Sequence, residues 1–543
     1  MRSSRSFPRR SRLVVALFST AVLTVGTLAV LQATSSAESA ASAQSADACA
    51  PGTEVQTTTG PVCGVVSNGV TEWLGIPYAT PPVGALRWAP PQPHAPWTAT
   101  LAATAFGSAC EQAPNPFTPG PYSEDCLFVN VWRPSLPASD LPVLVHIHGG
   151  GFTLGSGAGD NTLLASRGHE IVVSMNYRLG ILGFLANSAL GEHSGDYGLQ
   201  DQQAALRWVK DNIPAFGGDP HNVTIYGESA GGSSVCHHIA SPTAAGLFQR
   251  GISVSGEYNT LLGVPTSLEA QDCKSALPTQ AQADQAGATF AASLGCASAT
   301  NVAECLRAAS VTSVLAASGG TKGPTINGTT LPRTLRQALK TGRVNRVPVI
   351  AGVNRDENLV GTATTPEQYR ALVDAQYGRF AQDVLRLYPL ERFDSPFVAF
   401  RTIAADSNTV CPALVTDRGL ARWMPVYAYE IDDTDAPLLN PFYPAPGVPN
   451  GSYHVAAWFL TPVNPPLNAN QQVLQNEELA HVTTFARTGD PTALHTPVWP
   501  RFTPATEAVM SLQPGGDSEI VTADELSAQH HCRFWDRVGA KSD

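Results

Sequence analysis

The sequence predicts an α/β fold built on a large, mostly parallel central sheet with helices on both faces. Three observations predict it: short apolar, β-branched runs recur along the chain, segments of helical spacing lie between several of them, and no internal repeat or Pro/Gly/Ser linker divides the chain after its first residues. The runs, in order, are "PVLVHIH" (142–148), "IVVSMNY" (171–177), "VTIYG" (223–227), "ISVSG" (252–256), "VPVIAGV" (347–353) and "VYAYEI" (426–431). Continuous apolar strands of this kind are buried on both sides, which requires covering helices. "DQQAALRWVKDNIPAF" and "EELAHVTTFARTG" have the spacing to supply them. In such sheets ligand chemistry gathers at the carboxyl ends of the strands.

The length of 543 residues allows a large core, and open α/β units often exceed the average domain. With 43% hydrophobic and 14% charged residues the chain reads as soluble and globular, neither disordered nor a polytopic membrane protein. A net charge of -11 repels phosphate backbones and anionic lipid, which argues against a nucleic-acid partner.

The first residues differ in kind. Basic "MRSSRSFPRRSR" is followed by apolar "LVVALFSTAVLTVGTLAVL" and an Ala/Ser-rich stretch to about Ala46, the layout of a secretory signal. Residues 1–46 are therefore expected to be a leader cleaved at about 37–46, leaving 47–543 as one domain of the mature, extracellular protein. Arg9 and Arg10 leave both the general secretory and the twin-arginine route open. An uncleaved anchor is the competing reading, because Leu13 to Leu31 is almost long enough to span a bilayer. Small residues suited to cleavage, such as Ala43 and Ser45, favour removal and hence no stable membrane insertion. Ten cysteines without a close CxxC pair suit disulfides in an exported protein. Spacing favours Cys49 with Cys63, Cys110 with Cys126, and Cys296 with Cys305, and lets Cys411 and Cys532 close a long loop. Whether Cys236 and Cys273 pair cannot be read from spacing.

Ser229, in "IYGESAGGSSV", follows an apolar run and opens the helical-looking "SAGGSSVCHHIAS". A strand-to-helix turn there holds the serine in a strained conformation with Oγ projecting, and it demands tiny residues two positions before and after. Gly227 and Gly231 meet that demand. The adjoining helix N-terminus offers amides, Ala230 among them, to a developing negative oxygen. A structural G-x-S-x-G arising by chance is the competing reading. The run "PVLVHIH" ends in "GGGF" (149–152), where Gly150 and Gly151 can turn bare amides into a cavity. Gly150, Gly151 and Ala230 are thus the expected oxyanion donors. His148 reads as a turn residue.

At this point the chain resembles the type B carboxylesterase and lipase family, the cholinesterase-like branch of the α/β-hydrolases. The resemblance is carried by "GIPYATPPVGALRWAPP" (75–91), "SEDCLFVNVW" (123–132), "HGGGF" (148–152), "NYRLGILGFL" (176–185), "GLQDQQAALRWVKDNIPAFGGDPHNVTIYGESAGG" (198–232) and "AGVNRDEN" (351–358), nearly the whole chain after the leader. It implies the α/β-hydrolase fold, ester hydrolysis, and a triad in the chain order serine, acid, histidine. From the residues alone, Asp356 and Glu357 compete as the acid; the resemblance selects Glu357. It also implies that Ser255 hydrogen-bonds this acid, that Arg87 meets Glu124, and that Arg178 meets Asp201.

Five histidines follow Glu357: His454, His481, His495, His530 and His531. His481 lies in a helical pattern, His530 and His531 adjoin Cys532, and His495 lies in a late Thr/Pro loop. His454, in "PNGSYHVAAWF", enters an apolar segment from a loop and is the expected base. Here the chain departs from the family, which has glycine after this histidine and glutamate three residues on; Val455 and Ala457 stand in those places, removing a polar partner near Glu228, the residue beside the nucleophile.

The expected chemistry is acyl transfer from a small-molecule or lipid ester to Ser229 and then to water, with no metal or organic cofactor required. Between Cys110 and Cys126 stands "EQAPNPFTPGPYSED", without the tryptophan that cholinesterases use to bind quaternary ammonium, which argues against choline esters. Phe117 and Tyr122 either line the gorge or pack the loop. Two other roles share these features: a non-catalytic, cholinesterase-like adhesion protein, against which the intact Ser229, Glu357 and His454 argue, and an acyltransferase using the same acyl-enzyme.

Overall fold

The computed structural model describes residues 49–135, 138–256, 273, 277–318, 323–357, 363–434, 460 and 466–540. The expected leader and the expected base, His454, lie outside the described residues.

Among the described residues, eleven strands make one sheet. They are β1 Val65–Ser67, β2 Val70–Pro77, β3 Phe128–Pro134, β4 Leu141–Ile147, β5 Ile171–Met175 and β6 Gly218–Glu228, followed by β7 Arg250–Val254, β8 Val349–Asn354, β9 Val426–Ile431, β10 Ala508–Leu512 and β11 Glu519–Thr522. Across the sheet the order is β1-β2-β3-β5-β4-β6-β7-β8-β9-β10-β11. From β5 to β10 every neighbouring pair is parallel. The margins, β1-β2-β3-β5 and β10-β11, are antiparallel. The strand order reverses around β4, where β5 lies on one side and β6 on the other. Such a switch opens a crevice beyond the carboxyl ends of the two outgoing strands.

The parallel strands carry continuous apolar runs because alternate residues feed two separate cores. In β9, Val426 and Ala428 join a core shared with Leu206 and Val209, whereas Tyr427, Tyr429 and Ile431 join one shared with Leu474 and Phe485. The first core is closed by helices α1 (Tyr197–Asn212) and α2 (Ala230–Ala240), the second by α3 (Ala469–Thr488). Each aliphatic side chain so buried contributes about 1.5–3 kcal/mol. Beyond Asn212 the chain tightens into a 3₁₀ turn, Ile213–Phe216, since Pro214 has no amide to continue the α-helix. A reciprocal cap between Asn468 and Gln471 starts α3.

Both ion pairs implied by the resemblance are formed. Arg87 meets Glu124 at 2.6 and 2.5 Å, and Arg178 meets Asp201 at 2.7 and 2.8 Å. The second pair is buried, so removing one partner would strand a charge at a cost of roughly 3–5 kcal/mol. Disulfides join Cys49 to Cys63, Cys110 to Cys126, Cys236 to Cys273, Cys296 to Cys305 and Cys411 to Cys532.

One buried carboxyl has a direct consequence for stability. Asp196, in left-handed backbone just before α1 (φ 54°), is fully buried and accepts the Thr325 amide at 2.7 Å through Oδ1. Burial pushes its pKa up to about 8 against the opposing pull of that amide. Below about pH 4 it is protonated in both the folded and the unfolded chain. As pH rises toward 8 only the unfolded chain releases the proton, so folding stability drains away, and above about 8 the loss is complete. Asp196→Asn keeps the acceptor and tolerates the left-handed backbone. The variant is expected to match the parent at pH 4 and to be more stable at pH 8.5 by ~2 kcal/mol. Thermal unfolding at the two pH values checks this, and an equal change at both would refute it.

Candidate active site

Ser229 sits between β6 and α2 at φ 55° and ψ -121°, a region that residues with a Cβ rarely occupy. The turn is forced from both sides. A Cβ on Gly227 would lie 2.5 Å from Ile147 O, and one on Gly231 would lie 2.0 Å from the same oxygen. The end of β4 therefore presses the elbow, and only glycine fits at either position. The Ser229 amide donates to Val254 O at 2.9 Å, tying the elbow to β7. Ala230, fully buried, is the first residue of α2. Its amide lies in the first turn, which leaves such groups without an intrahelical acceptor.

The glycine run follows β4, the neighbour of β6. Gly150 and Gly151 have φ of 100° and 64°, so the loop turns through backbone that glycine adopts without strain. The Gly150 carbonyl accepts the Thr153 and Leu154 amides, both at 3.0 Å. A Cβ on Gly149 would lie 2.9 Å from Glu228 Oε2 and 3.3 Å from Ser229 Cβ, so this loop covers the elbow directly. His148 stacks on Tyr177 at 4.3 Å, and burial pushes its pKa down to about 3. It is a neutral packing residue, and Tyr177 donates to its carbonyl at 2.8 Å.

Ser255 directly follows β7, and Glu357 follows β8, the next strand across. Ser255 Oγ donates to Glu357 Oε2 at 2.5 Å; the Asn354 amide and side chain donate to the same oxygen at 3.3 and 3.4 Å. Glu357 is buried. Asp356 faces elsewhere, toward Arg401 at 3.6 Å and Arg355 at 3.8 Å, while Arg355 also binds Asp432 at 2.6 Å. Asn354 and the Arg355–Asp432 brace escaped the sequence reading; the "N-R-D-E" run carries Asn354 and Arg355, but Asp432 directly follows β9, and which side chain turns inward is decided by the strand end.

Four neighbouring parallel strands, β4, β6, β7 and β8, thus deliver the glycine run, Ser229, Ser255 and Glu357 to one sheet edge. Burial, and then the nearby Glu357 charge, hold the Glu228 pKa well above the ordinary carboxylate range, so it keeps its proton to higher pH than a solvated glutamate. Of the described histidines after Glu357, His481 and His530 are engaged elsewhere, and His495 is exposed in a loop. His481 is buried in α3, with Nδ1 2.7 Å from Pro491 O and its ring edge-on to Trp499. His530 lies between Asp406 at 2.6 Å and Glu430 at 3.0 Å. Burial alone would lower its pKa, but the two carboxylates outweigh it and hold the pKa well above the usual value. In the Cys110–Cys126 loop Phe117 is exposed, and the Tyr122 hydroxyl donates to Thr118 O at 2.5 Å.

Comparison with known proteins gives a consistent picture. A model of the carboxylesterase family matches residues 51–535. The chain is 34% identical over 516 residues to a para-nitrobenzyl esterase of Bacillus subtilis (strain 168), covering 89% of this chain and 99% of that one. It is 32% identical over 538 residues to an acetylcholinesterase of Bungarus fasciatus, covering 89% and 86%. A solved PNB esterase superposes with a TM-score of 0.71 at 31% identity, covering 88% of this chain and 99% of the other. A thermophilic PNB esterase gives 0.72 at 31% identity with the same coverage.

Proposed function

This chain belongs to the carboxylesterase family, and from that premise we propose that it is a secreted serine carboxylic ester hydrolase working through an acyl-enzyme, with Ser229 as nucleophile, His454 as base and Glu357 as acid. Its fold is that of the α/β-hydrolases. The observation that carries the reading is the Ser229 elbow: a strained serine, between two glycines that no larger residue can replace, at the switch point of a parallel sheet. Strain of this kind persists only where the surroundings impose it, and it gathers at sites that use it.

In the proposed cycle Glu357 fixes the His454 tautomer that accepts the Ser229 proton as Oγ attacks the ester carbonyl. The amides of Gly150, Gly151 and Ala230 receive the charge on the carbonyl oxygen, such donors being worth about 3 kcal/mol each. The imidazolium then protonates the leaving alcohol. Water, deprotonated by the same imidazole, releases the acid and restores the serine. The disulfides suit an oxidising compartment, and removal of residues 1–46 would leave one catalytic domain with a net charge of -15. A Cys110–Cys126 loop without tryptophan favours uncharged esters over choline esters.

The test is a series of p-nitrophenyl esters of rising acyl length, followed by a fluorophosphonate probe. A burst of p-nitrophenol equal to the enzyme concentration, with the probe recovered on Ser229, is the expected result. Turnover that survives probe treatment, or an adduct on a different side chain, would overturn the reading.

A further inference from the structure

The end of β7 is where the nucleophile and acid arms meet. Val254 O accepts the Ser229 amide at 2.9 Å, and the next residue, Ser255, donates its hydroxyl to Glu357 at 2.5 Å. Ser255 has φ 47°, a conformation that disfavours any residue with a Cβ, so the corner must be held in place by its surroundings.

The contacts that hold it converge on Gly256. The Ser255 amide donates to Gly352 O at 2.8 Å. Gly256 then lies flat against α2: a Cβ there would be 2.5 Å from the Gly232 carbonyl carbon and 2.8 Å from the Ser233 amide nitrogen. Ser233 Oγ donates to Gly256 O at 3.0 Å, and Ser253 Oγ donates to Gly232 O at 3.3 Å. The same Gly256 carbonyl has Cys273 Sγ at 2.8 Å. Cys273 is bonded to Cys236, one turn beyond Gly232 on α2, and both cysteines are buried. α2 is the helix that begins at the nucleophile elbow. A covalent link therefore joins that helix to a sulfur seated on the carbonyl immediately after Ser255.

We propose that Cys236, Cys273 and Gly256 are positioning residues of the acid arm: the disulfide clamps the Ser255–Gly256 corner onto the nucleophile helix and so fixes the hydrogen bond that orients Glu357. The proposal rests on the reading of Glu357 as the acid. It differs from a plain stability role, in which the link would shift the melting temperature and leave the chemistry alone.

The experiment is a double-mutant cycle on the full-length secreted enzyme, assayed with p-nitrophenyl butyrate well below the melting temperature. Cys236→Ala/Cys273→Ala is expected to lower kcat about tenfold with KM within about twofold of the parent, the pattern of a group that acts on the transition state rather than on substrate binding. Ser255→Ala is expected to cost about tenfold in the intact enzyme and under about twofold without the disulfide, because both changes release the same corner. Cys49→Ala/Cys63→Ala serves as the control: it removes a link from a different part of the fold, and is expected to lower the melting temperature while leaving kcat and the Ser255→Ala effect unchanged. An unchanged kcat in Cys236→Ala/Cys273→Ala overturns the proposal, as does a Ser255→Ala penalty equal in both backgrounds. If that double variant does not fold, Cys236→Ser/Cys273→Ser decides, since it removes the bond while keeping a small polar atom at each position; a lower kcat and a smaller Ser255→Ala penalty support the clamp, and no change sinks it. Full activity in Glu357→Gln would instead remove the acid reading itself. An inert Glu357→Gln beside an indifferent disulfide variant removes the clamp alone.

Discussion

Ser229→Ala is expected to lower kcat/KM for p-nitrophenyl esters by roughly 10⁴-fold or more, with the protein still folded. Alanine keeps the Cβ that packs beside Gly149 and keeps the backbone strain at φ 55° and ψ -121°; only Oγ is lost. What activity remains is expected to come from the proposed oxyanion amides and from substrate binding, which act without a nucleophile. Ser229→Gly sharpens the test. These angles are the mirror image of extended polyproline geometry, which glycine adopts freely. Ser229→Gly is therefore expected to be as inactive as Ser229→Ala yet more stable than it by about 1 kcal/mol. Urea denaturation of the two variants alongside the parent reads this difference. Retained turnover in either variant would remove Ser229 as the nucleophile, and equal stability would remove the claim that the elbow is strained.

That prediction uses geometry whose sequence signal is strong, since only glycine survives at positions 227 and 231 and so the pattern must appear in the letters. The central strands were legible for a related reason. β4 to β9 are buried on both faces, and their apolar runs are continuous. The marginal strands were not. β2 ("VTEWLGIP") and β3 ("FVNVWRP") carry Glu72, Gly75, Asn130 and Arg133 among their apolar residues, and antiparallel margins tolerate such mixing. α3 begins eight residues before the stretch read as helical; its first turn is polar and its start is marked by the Asn468–Gln471 cap.

In the site, what sequence could not supply was long-range. Cys236 and Cys273 lie 37 positions apart, and their pairing follows from the packing of the β7 end on α2. The shift on Glu228 comes first from its burial and then from a carboxylate well over a hundred positions away in the chain. The His530 arrangement draws on Asp406, Glu430 and the C-terminal segment, three places with no shared motif. Asp196 looks like any polar loop residue until Thr325 closes over it.

Adjacent acids in one short loop compete in the sequence and part company in the structure, and they bring the second large prediction. Glu357→Gln is expected to lower kcat by roughly 10³–10⁴-fold, because a neutral amide no longer favours the tautomer that accepts the serine proton nor stabilises the imidazolium. The change keeps the size of the side chain within the Ser255 and Asn354 contacts, so the loss is chemical rather than steric. Asp356→Asn, one position earlier, is expected to leave kcat within about threefold and to lower stability by about 1 kcal/mol, because its carboxylate faces the buried Arg401 rather than Ser255. Steady-state kinetics and thermal unfolding of the pair separate the roles cleanly. If Asp356→Asn proved inactive and Glu357→Gln active, the acid would be misassigned by one residue. The Ser255–Glu357 hydrogen bond would then be a packing contact, and the base would have to approach the sheet edge from the Arg401 side.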